Sequence, residues 1–234
     1  MPNVDYLVVA GGGTGGNPNW SDHSHRGGGG GGGGMLEGIK NITASGLYQV
    51  VVGASDTNSS FGDIVATAGG HGGNAINGAG GTGGSGGGGS ADSGAAGSGT
   101  VGQGNNGGPG PGGGGGAGAV GTGSKGAGKL ATVFGGTYAA GGEPGGTDPA
   151  AIGAANTGNG GQGGDVYFDD AEETTIDVPQ GAGGSGIVKL RYLAAEMTAT
   201  GGTISDSGAY KIHSFTSSGT FTATVIGSGN GFFF

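Results

Sequence analysis

Short bursts of apolar residues punctuate the chain, and they predict six β-strands separated by glycine-rich stretches. The predicted strands are residues 4–9, 47–52, 61–67, 187–192, 209–215 and 220–225. Several of them alternate apolar and polar residues with the period of two that places successive side chains on opposite faces of a sheet. In the fourth, Val188, Leu190 and Tyr192 are predicted to point inward while Lys189 and Arg191 face water.

The first strand and the turns refine this picture. Residues 4–9, VDYLVV, are apolar on both faces except at Asp5, which is typical of a strand covered on two sides. We predict one hairpin over 35–52 and a second in which the turn TSSGT, 216–220, joins the last two strands. No segment has a helical period, and each glycine costs a helix about 1 kcal/mol relative to alanine. The sequence therefore predicts an all-β fold without α-helix.

Glycine accounts for 71 of the 234 residues, including the run RGGGGGGGGM at 26–35. Within 69–186 side chains often recur at every third residue, as at His71 and Asn74. Three residues per turn is the period of the extended polyglycine II helix, which has no internal hydrogen bonds. Each buried N–H and C=O must then find a partner on a neighbouring helix, and close packing leaves no room for a Cβ. We therefore expect a small antiparallel β-layer or sandwich that carries a packed bundle of polyglycine II helices.

Composition narrows the function classes. The formal net charge of -9 repels phosphate backbones and argues against nucleic acid as a partner. The chain has no cysteine, so disulfides and thiolate metal sites are excluded. Its first residues carry no basic region, and their apolar run is too short for a signal peptide or a membrane span. We expect no membrane insertion and no cofactor.

Four stretches carry a family resemblance. They are VDYLVVAGGGTGG near the start, NSSFGDIVATAGGHGG at 58–73, GTYAAGG at 136–142 and GGSGIVKLRY at 183–192. In this order they resemble the glycine-rich domain of bacteriophage tail proteins. The resemblance implies a virion protein of the tail or tail fibre, made in the host cytoplasm. It further implies a distal adhesin whose loops between polyglycine helices bind the bacterial surface.

The resemblance also suggests a domain division. Residues 1–193 are expected to form the glycine-rich β and polyglycine II domain. Residues 194–234 are expected to form a C-terminal β-hairpin segment that completes the β-layer of the same or a neighbouring chain. In that arrangement its two strands, 209–215 and 220–225, pair with 4–9.

Motifs for catalysis are incomplete. GGSGG around Ser85 fits a nucleophile elbow but lacks the flanking strand and helix. GSKGAGKL at 123–130 approaches a phosphate-binding loop, yet Leu130 stands where a magnesium-binding Ser or Thr is needed. We expect no enzymatic activity.

Two segments are weak metal candidates. His23 and His25 are spaced so that both rings of an extended segment point one way, and three copies around a trimer axis would offer six nitrogen ligands. Exposed loop histidines are the alternative. The acidic segment 165–179 offers six carboxylates to calcium, but its spacing differs from that of an EF-hand loop. A solvated loop is the favoured interpretation, and no metal site is predicted.

Receptor contact is expected at the loops, because the helices carry few side chains. One loop contains Trp20 and Arg26, and the acidic segment contains Tyr167 and Phe168, residue types found at binding hot spots. Trp20 packing on its own β-layer is the alternative. The segment 143–152 is the next candidate.

The chain ends in GNGFFF, where Phe232, Phe233 and Phe234 are predicted to form an assembly interface. A plug in the chain's own core is the alternative. Expected partners are other tail or fibre subunits, further copies of this chain as in a trimer, and a bacterial surface glycan or outer-membrane protein. Two other functions stay open: a fibre or tail assembly protein without receptor contact, and an ice-binding polyglycine II protein.

Overall fold

The computed structural model describes residues 1–18, 26–74, 78–91, 93–146, 148, 150–169 and 172–226. These residues form fourteen β-strands and no helix. The strands are β1 (Asn3–Val9), β2 (Met35–Asn41), β3 (Gly46–Val51), β4 (Ser59–Phe61), β5 (Ile64–Ala66), β6 (Lys129–Leu130), β7 (Thr137–Tyr138), β8 (Asp165–Asp169), β9 (Thr174–Val178), β10 (Ile187–Leu193), β11 (Met197–Thr200), β12 (Thr203–Ser207), β13 (Tyr210–Phe215) and β14 (Gly219–Val225). The all-β prediction is confirmed.

Two five-stranded antiparallel sheets form a sandwich, with strand orders β12-β13-β10-β1-β2 and β11-β14-β3-β4-β5. Alternating side chains from both sheets meet in one core, as the period of two predicts. Val188, Leu190 and Tyr192 are buried there, whereas Lys189 and Arg191 are only partly covered. Aromatic rings dominate the centre of this core, where Phe61 and Phe221 pack edge to face with ring centroids 5.9 Å apart.

β1 is covered on both faces, as its sequence indicates. Val4 and Val8 lie in the core between the sheets. Leu7 and Val9, on the other face, lie in a second cluster with Tyr138 of the β6–β7 hairpin. The nearly continuous apolar character of β1 follows from these two separate cores.

The predicted strand connections were wrong in four places. β2 and β3 lie in different sheets, and so do β13 and β14, so neither 35–52 nor 216–220 forms a hairpin. Residues 61–67 are not one strand, because Gly62 adopts a φ of 59° and turns the chain between β4 and β5. β1 pairs with β2 and β10 rather than with either C-terminal strand. Crossing between sheets lets Phe215 and Phe221 fill one core from opposite sides.

The eight glycines at 27–34, which we call the central tract, are all buried. Their hydrogen-bond partners shift by three residues for every three residues of the tract. Gly27, Gly30 and Gly33 donate to Gly164, Gly161 and Gly158, while Gly28, Gly31 and Gly34 donate to Gly73, Gly70 and Thr67. This is the three-residue period expected of polyglycine II.

Six neighbouring tracts surround the central tract. They are 10–16, 67–73, 85–88, 112–115, 142–145 and 158–164. Three of them accept backbone hydrogen bonds from the central tract and three donate to it, in alternation around the ring. Adjacent neighbours are also bonded to each other, so the glycine-rich part of the chain forms a hexagonally packed bundle.

Close packing explains why the central tract contains glycine alone. A Cβ added at any position from Gly27 to Gly33 would lie 2.0–2.3 Å from a backbone carbonyl oxygen of a neighbouring tract. Backbone cannot move aside as the end of a flexible side chain can. The run is therefore the tightly packed centre of the bundle and not a flexible linker.

The bundle has two ends. Near residues 10, 34, 67 and 186 the tracts continue into strands of the sandwich, and we call that side the proximal pole. At the opposite side, the distal pole, the tracts end near residues 16, 73, 89, 112, 145 and 164, and the described segments there include 109–111, 165–169 and 172–179. The polyglycine architecture thus separates a side-chain-packed base from a set of loops.

Candidate binding site at the distal pole

Hydrogen bonds between tracts bring the distal segments together. Gly27 donates to Gly164, and Gly145 donates to Gly27, so three segments distant in sequence end side by side. Asn17 joins a fourth, because its N–H donates to the Asn74 side-chain oxygen over 2.7 Å. The distal pole is therefore one surface built from several loops.

The acidic segment is a β-hairpin, which corrects the expected solvated loop. β8 and β9 pair with Tyr167 opposite Ile176 and Phe168 opposite Thr175. The base of the hairpin is anchored, since Val166 and Val178 are buried. Burial decreases along β8 from Asp165 and Val166 at the base, which places Tyr167 and Phe168 nearer the tip.

An ion pair joins the hairpin to the first distal loop. The Arg26 Nε lies 3.2 Å from the Asp165 Oδ2. The Asp165 side chain is only 3% exposed, whereas that of Arg26 is 49% exposed. A buried carboxylate needs such a partner, so Asp165 holds the Arg26 guanidinium at the solvent boundary. Tyr167 follows Asp165 by two residues and is half-buried, and Phe168 is 48% exposed.

Comparison with family models gives one match, to a family described as a glycine-rich domain, over residues 1–193. The chain belongs to this glycine-rich domain family. Searches of curated proteins and of solved structures find no match. The family match covers the bundle and β1 to β10, so it agrees in extent with the resemblance seen in the sequence.

Of the predicted receptor residues, the glycine-rich domain brings Arg26, Tyr167 and Phe168 to the same pole. Trp20, the candidate ligands His23 and His25, and the aromatic residues Phe232, Phe233 and Phe234 lie outside the described residues. Within the described ranges no cluster of three or more His, Cys, Asp or Glu side chains is suited to a metal ion. Nor does that part of the chain contain a helix long and apolar enough to cross a membrane.

The two glycine motifs are part of the bundle. Ser85 is fully buried, and its N–H donates to Gly32 of the central tract. Lys125 lies on the bundle surface, where its Nζ is 3.4 Å from the Glu143 Oε1. Leu130 is in β6 of the β6–β7 hairpin.

Sequence reasoning missed a polar groove beside the candidate site. Asn159 and Gln162 stand three residues apart in the tract 158–164. In the folded domain the Asn159 Oδ1 accepts from the Ala140 N–H and the Gln162 Oε1 accepts from the Ala151 N–H. The amide side chains of Asn159 and Gln162 within a tract of glycine were the available signal. A side chain fits in such a tract only where no neighbouring tract packs closely against that position.

Proposed function

We propose that this protein is a virion component of a bacteriophage tail or tail fibre, and that its distal pole binds the bacterial host surface. The family membership supports a glycine-rich scaffold, and the motifs in its strands resemble those of phage tail adhesins. The proposed receptor is a surface glycan or an outer-membrane protein. Arg26, Tyr167 and Phe168 are its proposed contacts, together with Trp20.

The observation that carries the proposal is the position of Arg26, Tyr167 and Phe168 at one pole of a hydrogen-bonded bundle. The Arg26–Asp165 pair links two loops that are 139 residues apart in sequence, 165 minus 26. Arginine and aromatic residues dominate binding energy when their conformation is fixed before contact. The central tract of the bundle beneath them is bonded to six neighbouring tracts.

The end of the sandwich remote from the bundle supports attachment to the rest of the particle. It carries a cavity of about 480 Å³ lined by Met1, Pro2, Ile42, Thr43, Ala195, Glu196, Val225 and Ile226. Its lining combines aliphatic side chains with Thr43 and Glu196, which suits an amphipathic segment of another tail or fibre subunit, or of a second copy of this chain. Assembly at this end leaves the distal pole exposed. The same cavity favours the second candidate function, an assembly protein without receptor contact.

A binding experiment distinguishes the two functions. The labelled protein is incubated with a panel of bacterial strains, and the variant with alanine at Trp20, Tyr167 and Phe168 is compared with the wild type. We expect at least a tenfold loss of cell binding with little change in the thermal midpoint. Leu47→Ala is the control, because Leu47 is 75% exposed on the sandwich. Equal binding by the folded triple variant would reject the distal site and leave the assembly function.

A further inference from the structure

The tract 158–164 has five neighbouring tracts where the central tract has six. Its five contacts are Gly161 N–H to Gly13 O, Gly30 N–H to Gly161 O, Gly160 N–H to Ala140 O, Gln162 N–H to Ala151 O and Gly181 N–H to Gln162 O. The order of these neighbours around the tract leaves one position empty, between 140–145 and 151–154. Among the described residues no tract fills that position.

A groove lies at this empty position. Its volume is about 210 Å³, and its lining comes from both flanking tracts and from Asn159, Gly160 and Gln162 at its floor. The groove is short. At the proximal end the Asn159 side chain crosses to the Ala140 N–H.

The floor of the groove presents unsatisfied acceptors. Around a tract of the bundle, neighbours that accept hydrogen bonds from its N–H groups alternate with neighbours that donate to its carbonyl groups. The empty position lies between two acceptors, so the tract 158–164 directs carbonyl groups toward it. Those carbonyls belong to Gly160 and Gly163, and neither accepts a hydrogen bond from the part of the chain that the structure describes. Both glycines are buried, so a ligand that reaches the Gly160 oxygen gains a hydrogen bond in a partly dry site.

The remaining groups of the groove define the chemistry of the ligand. The oxygens of Asn159 and Gln162 accept from backbone N–H groups, which leaves their NH₂ groups as donors. Ile152, 74% exposed, adds an aliphatic wall. Lys125 and Glu143 pair with each other at the rim, so the groove has no net charge to attract an ion.

We propose that this groove binds one sugar ring of a neutral saccharide. Ring hydroxyls donate to the Gly160 carbonyl and accept from the Asn159 and Gln162 amides, while a C–H face of the ring packs on Ile152. A longer polyglycine segment would meet the Asn159 side chain, which closes the proximal end of the groove. The physiological meaning of this site, a second contact with a host glycan, rests on the function proposed above.

The test is a titration of the ¹⁵N-labelled protein with glucose, galactose, mannose, rhamnose and N-acetylglucosamine, followed by amide chemical shifts. We expect at least one sugar to give saturable shifts confined to Ala151, Ile152 and the 159–162 tract. Ala151→Leu, which fills the groove from an exposed position, should weaken that binding at least tenfold. Ala155→Leu, exposed but outside the groove lining, is the matched control and should bind like the wild type.

Three outcomes would overturn the groove assignment. They are no saturable shift with any of the sugars, shifts spread over the sandwich, or equal binding by the Ala151→Leu variant. A (Gly-Gly-Ser)n peptide is titrated in parallel, and saturation by the peptide alone would reassign the groove to an added polyglycine helix. None of these results depends on bacterial binding, so the cell assay with the triple alanine variant tests the proposed function separately.

Discussion

The sandwich and the glycine bundle are stabilised by different parts of the polypeptide. In the sandwich, apolar side chains such as Phe221 and Leu190 are buried between two sheets, and burial of apolar surface supplies the stabilisation. In the bundle, the central tract has no side chains at all, and its amides and carbonyls bond to six neighbouring tracts. Side-chain packing tolerates replacement by a residue of similar volume. Close backbone packing tolerates only glycine, because any other residue adds a Cβ where glycine has a hydrogen atom.

The largest loss of stability is expected from adding a single methyl group to the central tract. In Gly30→Ala the Cβ would lie 2.0 Å from the Gly13 carbonyl oxygen, so the tracts must separate and lose hydrogen bonds. We expect a loss of more than about 4 kcal/mol in unfolding free energy, or failure to fold. Gly123→Ala is the control, since nothing lies within 4 Å of its Cβ position. Equal denaturation midpoints for the two variants would contradict close backbone packing.

The sandwich core should respond according to volume. Phe221 packs against Phe61, Tyr192 and His213, with centroid distances of 5.9, 6.2 and 5.1 Å. Phe221→Ala leaves a cavity and is expected to lower the unfolding free energy by about 3–5 kcal/mol. Leu190→Met conserves volume and should cost less than about 1.5 kcal/mol. Chemical denaturation measures both, and a Leu190→Met loss as large as that of Phe221→Ala would argue against a core governed by volume.

At the distal pole an intermediate effect is expected from the ion pair. Arg26→Met leaves the buried Asp165 carboxylate without its partner, which should destabilise the fold by about 1–3 kcal/mol. The double variant Arg26→Met, Asp165→Asn removes the buried charge and should recover part of that loss. Thermal unfolding of the wild type, the two single variants Arg26→Met and Asp165→Asn, and the double variant tests this. Additive losses in the double variant would show that the two side chains act independently.

The smallest effect concerns pH and the sandwich alone. Burial lowers the pKa of His213 below its ordinary value of 6.5, and nearby Lys211 lowers it further. The ring is held neutral, with Nδ1–H donating to Gly201 O over 2.6 Å and Nε2 lying 3.3 Å from the Tyr192 hydroxyl. The unfolded chain therefore binds a proton first, and stability falls as pH decreases below about 6.5, by at most about 1.4 kcal/mol per pH unit.

Unfolding midpoints of the wild type and His213→Gln between pH 7.5 and pH 5 check this sign. The variant should be less stable at pH 7.5, with a smaller decrease toward pH 5. A parallel decrease in both proteins would place the titrating group elsewhere.

The sequence predicted the faces of the strands well but their partners poorly. Alternation shows that Phe215 and Phe221 point inward, and both are buried. It does not show to which sheet each strand belongs, because the alternating pattern is identical for two strands of a hairpin and for two strands in facing sheets. The predicted hairpin at 216–220 was wrong for this reason.

The candidate site was predictable in its residue types but not in its geometry. Arg26, Tyr167 and Phe168 stand out because they interrupt glycine tracts. Their proximity depends on which tract lies beside which, and glycine carries no side chain from which that order could be inferred. The groove at Gly160 was missed because the sequence does not show which tracts flank 158–164, although the amide side chains of Asn159 and Gln162 mark its floor.

Amide hydrogen exchange of the central tract tests the account most directly. Each amide from Gly27 to Gly34 donates to a carbonyl of a neighbouring tract, so these amides should exchange as slowly as those of β1 and β10 in the sandwich. NMR of the ¹⁵N-labelled protein after transfer to D₂O measures both regions in one sample. Protection of the central tract equal to that of the sandwich strands is the predicted result. Complete exchange of Gly28 to Gly33 while β1 stays protected would show a flexible linker and contradict the packed polyglycine bundle.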